Sequence, residues 1–404
     1  MKKQEQTPAM PILFIILLGT MTAFGPLLSD MYSPALPLVQ QDLMTTTSQT
    51  QLTLSIAMIG IAFGQFIFGV MADRVSRRNL ALSILVLLMV ASLLIAMSSS
   101  VILLLVLRFI QGLAGGGAIV IARATAGESL KGAHLSRFFT ALMVVNGIIS
   151  ILAPLANAIL ISIGTWRYIF LALAGIGALL FMSVALHPYM KKIQQTQTKE
   201  TQLLAVFKDF GHLVKTPSFV LPMLLQGVTY IMIFSFGAGA PFITQNVYGM
   251  TPQSFSLLMV FIGIGLIISS QLSNLCLRWW PQLHVLTLFM MIQVLGAMMT
   301  IIVLLLHLPL TVLVVALFFA VTPVTAIGPI AFSLAMQMRT GGSGSASSLL
   351  GLVQFILGSS IAPLIGVQGS ESVVPYCIVL GVTMLLLLTL GHFTYHRLKH
   401  QIAQ

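Results

Sequence analysis

"MKKIQQTQTKETQLLAVFKDFGHLVK", residues 190–215, is the one long polar stretch in a chain of 404 residues. On either side of it the sequence runs in apolar segments, six before and six after. Hydrophobic residues make up 58% of the chain, charged residues 7%, and the mean hydropathy is +1.04, values outside the range of soluble domains. A bilayer crossing takes about 20 predominantly apolar residues. The segments of that kind are 11–37, 49–72, 79–98, 101–125, 136–161, 166–187, 217–242, 254–277, 283–305, 308–336, 343–367 and 373–395, numbered here as spans 1 to 12. Lipid offers backbone N–H and C=O groups no partners, so each span is expected to be a helix; a β-barrel would need short alternating strands instead. The expectation is an all-α membrane protein with twelve transmembrane helices. Its divisions are a six-helix half over 1–188, a linker over 189–216 and a second six-helix half over 217–404.

Net charge is +11, which in a soluble protein would raise nucleic acid as a partner. Its distribution points to a lipid bilayer instead. With the N-terminus inside, 16 of the 19 Lys and Arg fall in cytoplasmic segments, Arg167 alone lies in an external loop, and Arg108 and Arg123 lie within span 4. The positive-inside rule then places both termini in the cytoplasm of a multi-pass cell-membrane protein. The start, "MKKQEQTPAMPILFIILLGT", has no small-residue cleavage site after its first apolar residues and is read as a retained first span. Within the linker, "QLLAVFKDFGHLVK" fits either a basic amphipathic helix on the inner leaflet or a solvated tether. Cys276 and Cys377 belong to different spans and are expected to pack as apolar side chains. His392, His396 and His400 repeat at four-residue spacing, but with no acid or cysteine near them they read as a solvated helix end and not a metal site. No nucleophile with a base, no carboxylate pair and no set of metal ligands lies at depth, so neither an enzyme nor a cofactor is expected.

The two halves carry traces of one motif. Span 2 ends in "GQFIFGVMADRVSRR", residues 64–78, and span 8 in "GLIISSQLSNLCLRW", residues 265–279. Gly64 matches Gly265, Asp73 matches Asn274 and Arg77 matches Arg278, each at an offset of 201. That offset maps span 2 onto span 8, as a parallel repeat of two six-helix halves would, and such a repeat puts a substrate site between the halves.

The 64–78 stretch resembles the loop motif of the major facilitator superfamily, G-x-x-x-[DE]-[RK]-x-G-[RK]-[RK]: Gly69, Asp73, Arg74, Arg77 and Arg78 match, while Ser76 stands where a glycine is usual. "DMYSPALP" at the end of span 1, "LRFIQGLAGG" in span 4, "WRYIF" entering span 6 and "GSGSASSLLGLVQFILGSSIAPL" in span 11 are similar to the bicyclomycin and chloramphenicol resistance (Bcr/CflA) branch of drug:proton antiporters. The resemblance implies a major facilitator fold, alternating access, and efflux of apolar or amphiphilic drug-like molecules in exchange for protons by a monomer. It also implies a cytoplasmic latch in which Asp73 meets the small residues opening span 11 and Arg74 pairs with Glu128. One segment departs from the family. In span 5 a glycine-rich pattern ending G-P-x-x-G-G is expected, and "NGIISILAPLANAIL" keeps Gly147 and Pro154 but has Ala153, Asn157 and Ala158 in place of glycines. A proton-coupled uptake symporter, or a facilitator for a specific metabolite, therefore stands as the alternative.

Asp30, in "GPLLSDMYSPALP", and Arg108, in span 4, each lie seven residues from the outer boundary of their spans, about 10 Å deep at a rise of ~1.5 Å per residue. A charge at such depth usually faces a cavity or a partner. The family resemblance implies that spans 1 and 4 are adjacent and that this pair does functional work in proton coupling and substrate binding. A neighbouring guanidinium favours the ionised carboxylate and desolvation the protonated one, opposed influences that suit a proton switch. Gln111 lies one turn beyond Arg108 on the same face and is a candidate substrate contact. Asn146 and Asn157 are further candidates, since an intramembrane amide either lines a cavity or bonds between helices. Arg123, near the inner end of span 4, is expected to snorkel toward the headgroups. Spans 7 to 12 hold no Asp, Glu, Lys or Arg in their cores, which leaves coupling to the first half.

Overall fold

The computed structural model describes residues 12–72, 75–129, 132–187, 190, 210–339 and 343–402, and all regular structure among them is helical. Among the described residues eleven helices are long and apolar enough to cross a membrane, and a bent pair, Phe14–Thr22 with Phe24–Asp42, taken as one span makes a twelfth. The spans run over Thr47–Ala72, Arg77–Ala96, Val101–Ser129, Gly132–Ile163, Arg167–Leu186, Pro217–Phe242, Pro252–Cys276, Gln282–Leu305, Leu310–Val321 with Val324–Gln337, Ser343–Ser360 and Val374–Ile402. Spans 4, 5 and 12 reach several residues beyond their expected limits, because a helix whose apolar run has ended can continue into water with its backbone bonds intact.

Span 1 departs from a simple rod, bending by 51° about Ala23 and tightening into a 3-10 turn at Ser33–Ala35. Pro26, Pro34 and Pro37 lack backbone N–H groups and disfavour a regular helix through this region. Two carbonyls are released as a result. The Tyr32 N–H bonds to Ser29 and the Ala35 N–H to Tyr32, three residues back, which leaves the oxygens of Leu28 and Met31 to side chains of other helices.

Helices pack most closely where spans 2 and 4 cross. Gly60 and Gly64 face Gly112 and Gly116, and a Cβ on Gly64 would lie 2.1 Å from the Leu113 oxygen, one on Gly112 2.0 Å from the Ala57 oxygen. Two glycine pairs at four-residue spacing let the backbones touch, the packing on which helix association in lipid depends. Gly265, matched to Gly64 by the repeat, faces Phe318 and Thr322 of span 10, so the repeat offset carries a span 2–4 contact onto a span 8–10 contact.

Buried side chains form two large clusters. One draws on residues 14–190, joined by buried Ala238, Phe242 and Ala362 and half-buried Phe234 and Phe355 from the later spans, and the other draws on residues 225–398. We call the end of the bundle where span 6 ends and span 7 begins the linker end, and the opposite one the far end. Among the described residues four hydrogen bonds join the first six spans to the last six: Ser33 Oγ to the Gly237 carbonyl, Ser48 Oγ to Pro363 O (2.7 Å), Gln245 Nε2 to Pro34 O (3.0 Å) and Ser256 Oγ to Asn157 Oδ1 (3.4 Å). All four lie in the far-end half of the bundle. The Gly237 oxygen is open to Ser33 because the residue four positions on, its ordinary helical donor, is Pro241.

Candidate functional site: a two-chambered cavity between the halves

Beneath the far-end contacts lies a chamber of about 310 Å³, walled by Leu54, Met58, Phe234, Phe236, Met259, Ile262 and Phe355, with Asp30 as the one charged residue among the described lining residues. Toward the linker end it adjoins a larger chamber of about 710 Å³, and Gly25, Pro26, Tyr230, Gln354 and Phe355 border both. The second chamber is more polar, with Gln65, Arg123, Asn146, Ser347 and Ser348 on its walls.

Asp30 accepts a hydrogen bond from Ser29 Oγ at 2.7 Å. Spans 1 and 4 are adjacent, as the sequence resemblance implied, but Arg108 does not reach the carboxylate. Its guanidinium donates to the Leu28 carbonyl (2.9 Å), the Thr53 carbonyl (3.1 Å) and Gln111 Oε1 (2.7 Å), and it stacks on the Tyr32 ring at 4.5 Å and Phe170 at 5.6 Å. The side chain is fully buried, so carbonyl dipoles and aromatic faces stabilise the cation in place of a counterion. Gln111 is buried too and passes the chain on to Ser92 Oγ at 2.8 Å. Neither Arg108 nor Gln111 borders either chamber. Their network ends on a carbonyl two residues from Asp30, and Tyr32, whose hydroxyl bonds Thr53 Oγ1 at 2.8 Å, closes it on the other side.

The amides separate into two kinds. Asn146 lines the linker-end chamber and bonds Thr22 Oγ1 at 3.2 Å. Asn157 is fully buried where spans 1, 5 and 8 meet, donating to the released Met31 carbonyl and accepting from Ser256. Asn157 is thus part of the helix framework, and the family's glycine position has become a hydrogen-bonding one. Pro154 lines the far chamber, while a Cβ at Gly147 would meet only Ile267 at an ordinary 3.6 Å.

At the linker end, Asp73 and Arg74 lie outside the described residues, as does the side chain of Glu128. Gly69 faces Val120, Arg77 donates to the Ala124 carbonyl at 2.7 Å and Arg78 to the Ala185 carbonyl at 2.9 Å, so the two arginines bind the ends of spans 4 and 6. Arg123 differs from its sequence expectation. It borders the linker-end chamber instead of snorkelling outward to headgroups, because it continues the face of span 4 that carries Ile119 and Val120 toward the cavity. The four-residue spacing from Ile119 to Arg123 was the available signal. Tyr230 and Gln354, the polar residues common to both chambers, were not distinguishable from other span residues without knowing which helix faces turn inward.

Twelve crossings around a central cavity, closed at one end, are the architecture of a membrane transporter. The chain belongs to the major facilitator superfamily, whose family model matches residues 13–363. It is 32% identical over 399 residues to an uncharacterized MFS-type transporter, YdgK, of Bacillus subtilis, covering 96% of each chain. It is 24% identical over 401 residues to a bicyclomycin resistance protein homolog of Haemophilus influenzae, covering 98% of each. Among solved structures, the crystal structure of a D-xylose-proton symporter superposes with a TM-score of 0.78 at 14% identity, over 95% of this chain and 96% of that one, a likeness of fold.

Proposed function

We propose that the protein exports apolar or amphiphilic drug-like compounds from the cell in exchange for protons, by alternating access of the two-chambered cavity. One observation carries this reading. Among the described residues Asp30 is the sole carboxylate on the cavity lining, set in an apolar chamber between the halves. A carboxylate there is easily desolvated when protonated and, when ionised, favours a polar or cationic neighbour, so proton and substrate each bias the state the other disfavours. Arg108 holds the span 1 backbone beside Asp30 and is the route by which its charge state is coupled to spans 2 and 4. Asn146, Tyr230 and Gln354 contact substrate. Asp73, Arg74 and Glu128 act together with Gly69, Arg77 and Arg78 as the latch of the linker end, which faces the cytoplasm of the cell membrane. The similarity to a bicyclomycin resistance homolog supports the substrate class, and bicyclomycin is the first compound to test.

The experiment uses everted membrane vesicles holding an acid-inside pH gradient reported by a fluorescent amine. Bicyclomycin added to wild-type vesicles should discharge the gradient, and Asp30→Asn should abolish the discharge at equal protein levels. A full response from the Asp30→Asn protein would remove Asp30 from coupling. Uptake that acidifies the cytoplasmic side together with substrate would favour symport instead.

A further inference from the structure

The cavity has a charge at each end, and the reading above uses only one. Arg123 borders the larger chamber, and the other polar side chains described on its walls, Gln65, Asn146, Ser347, Ser348 and Gln354 among them, are uncharged. Among the described residues Arg123 donates no hydrogen bond and has no ion-pair partner; the one ion pair between described residues, Arg167 with Asp42 at 2.6 Å, lies at the far end. Arg108, by contrast, is satisfied by two carbonyls and an amide. Of the two arginines within span 4, one is structural and saturated and the other is presented to open space.

Asp30 does not neutralise it. Arg108 fixes the level of span 4 against Leu28, and Arg123 lies fifteen residues further along, about 22 Å at ~1.5 Å per residue. Its side chain leans back toward the helix N-terminus, and so into the chamber, but remains in a different chamber from the carboxylate. Between the two charges runs a set of rings. Tyr230 and Phe234 have centroids 6.2 Å apart and Phe234 and Phe355 6.0 Å apart, and Tyr230 and Phe355 border both chambers. A guanidinium with no hydrogen-bond acceptor or counterion among the described residues, at the mouth of an aromatic passage, complements an acidic head on a flat apolar body.

Building on the transporter reading, we infer that Arg123 is an anion-accepting subsite and that the cargo includes aromatic or amphiphilic acids. The acid head is held at Arg123 by charge-assisted hydrogen bonds, and the body lies along Tyr230, Phe234 and Phe355, with the head kept away from Asp30. This extends the cargo beyond the neutral and cationic compounds that Asp30 alone would suggest. In a site partly shielded from water, a hydrogen-bonded guanidinium is worth roughly tenfold or more in affinity.

The test compares binding of 1-pyrenebutyrate and its uncharged amide to the purified full-length protein in uncharged lipid nanodiscs, by equilibrium dialysis at neutral pH. Wild type should bind the acid roughly tenfold or more tightly than the amide. Arg123→Gln should bring that ratio close to one, and Arg123→Lys should restore most of it. Ser348→Asp keeps Arg123 but adds a carboxylate to the same chamber, and should likewise erase the preference; it serves as the test should Arg123→Gln fail to fold. Equal binding of acid and amide by wild type, or a ratio untouched by Arg123→Gln or by Ser348→Asp, overturns the subsite. The measurement requires neither a gradient nor a direction. A failure of proton exchange would therefore leave it standing, and a lost acid preference would leave gradient-driven export of neutral compounds intact.

Discussion

Gly366 offers a direct way to pry the far end open. It ends the 3-10 turn Ala362–Gly366 after span 11, where that turn sits on the first residues of span 2. A Cβ at this position would lie 2.6 Å from the Ser48 nitrogen, 2.8 Å from the Thr47 carbonyl carbon and 2.8 Å from Gln51 Oε1. Two of these atoms are backbone and cannot rotate away. Ordinary contact begins near 3.4 Å, so Gly366→Ala requires the turn and span 2 to separate by about 0.8 Å, which also stretches the Ser48 Oγ to Pro363 O bond of 2.7 Å. Overpacking of this kind costs about 1–3 kcal/mol and a lost neutral hydrogen bond about 1 kcal/mol. The penalty falls on the far-closed state, because the two surfaces part when that end opens. A sum of about 2–4 kcal/mol shifts the closed-to-open ratio by roughly 30-fold to 1000-fold. Spin labels on cysteines replacing Gln49 and Gln368, exposed positions on either side of the contact, report the change by pulsed electron–electron resonance once Cys276 and Cys377 are replaced. The Gly366→Ala protein should show a longer distance population that wild type lacks or holds as a minor one. An unchanged distance distribution in a protein of undiminished thermal stability would refute the reasoning, since the added methyl would then have been accommodated without opening.

Gly112→Val should lower stability by about 3 kcal/mol or more, since its side chain would meet the Ala57 backbone at the span 2–4 seam, whereas Gly175→Ala, with open space around it, should be neutral within error; thermal unfolding of the purified proteins separates the two. For orientation, a cysteine at Ser76 should react only with thiol reagents that reach the cytoplasm and one at Ser370 only with reagents added outside, and external labelling at Ser76 would invert the bundle.

The spans were legible because lipid imposes one demand on every residue of a crossing, and a run of apolar side chains records it directly. The break in span 1 was marked by its prolines, though the sequence does not say which carbonyls a break releases or what takes them. That gap explains the fate of Arg108. Its depth and its neighbourhood with span 1 could be derived from spacing and resemblance, but the acceptors it uses are backbone oxygens of Leu28 and Thr53, groups every residue carries and no pattern flags. Asn157 was ambiguous for the same reason, being bonded to the Met31 oxygen and turned away from the cavity. Arg123 lines the cavity against the sequence expectation because a basic residue near a membrane end can point to headgroups or to a cavity, and only the helix's rotation about its axis decides between them.

The far-end closure is also electroneutral. Its donors are the hydroxyls of Ser33, Ser48 and Ser256 and the amide of Gln245, and its acceptors are the carbonyls of Gly237, Pro363 and Pro34 and the amide oxygen of Asn157. None of these groups titrates in the physiological range, and none holds a counterion for salt to screen. The work of parting these contacts is therefore nearly the same in acid as in alkali and in dilute buffer as in brine. A dependence of opening on acidity therefore originates outside these four bonds, in ionisable residues such as Asp30 in the cavity or the Asp42–Arg167 pair within the first half, and the four contacts act as a constant mechanical load against which those charge states are weighed.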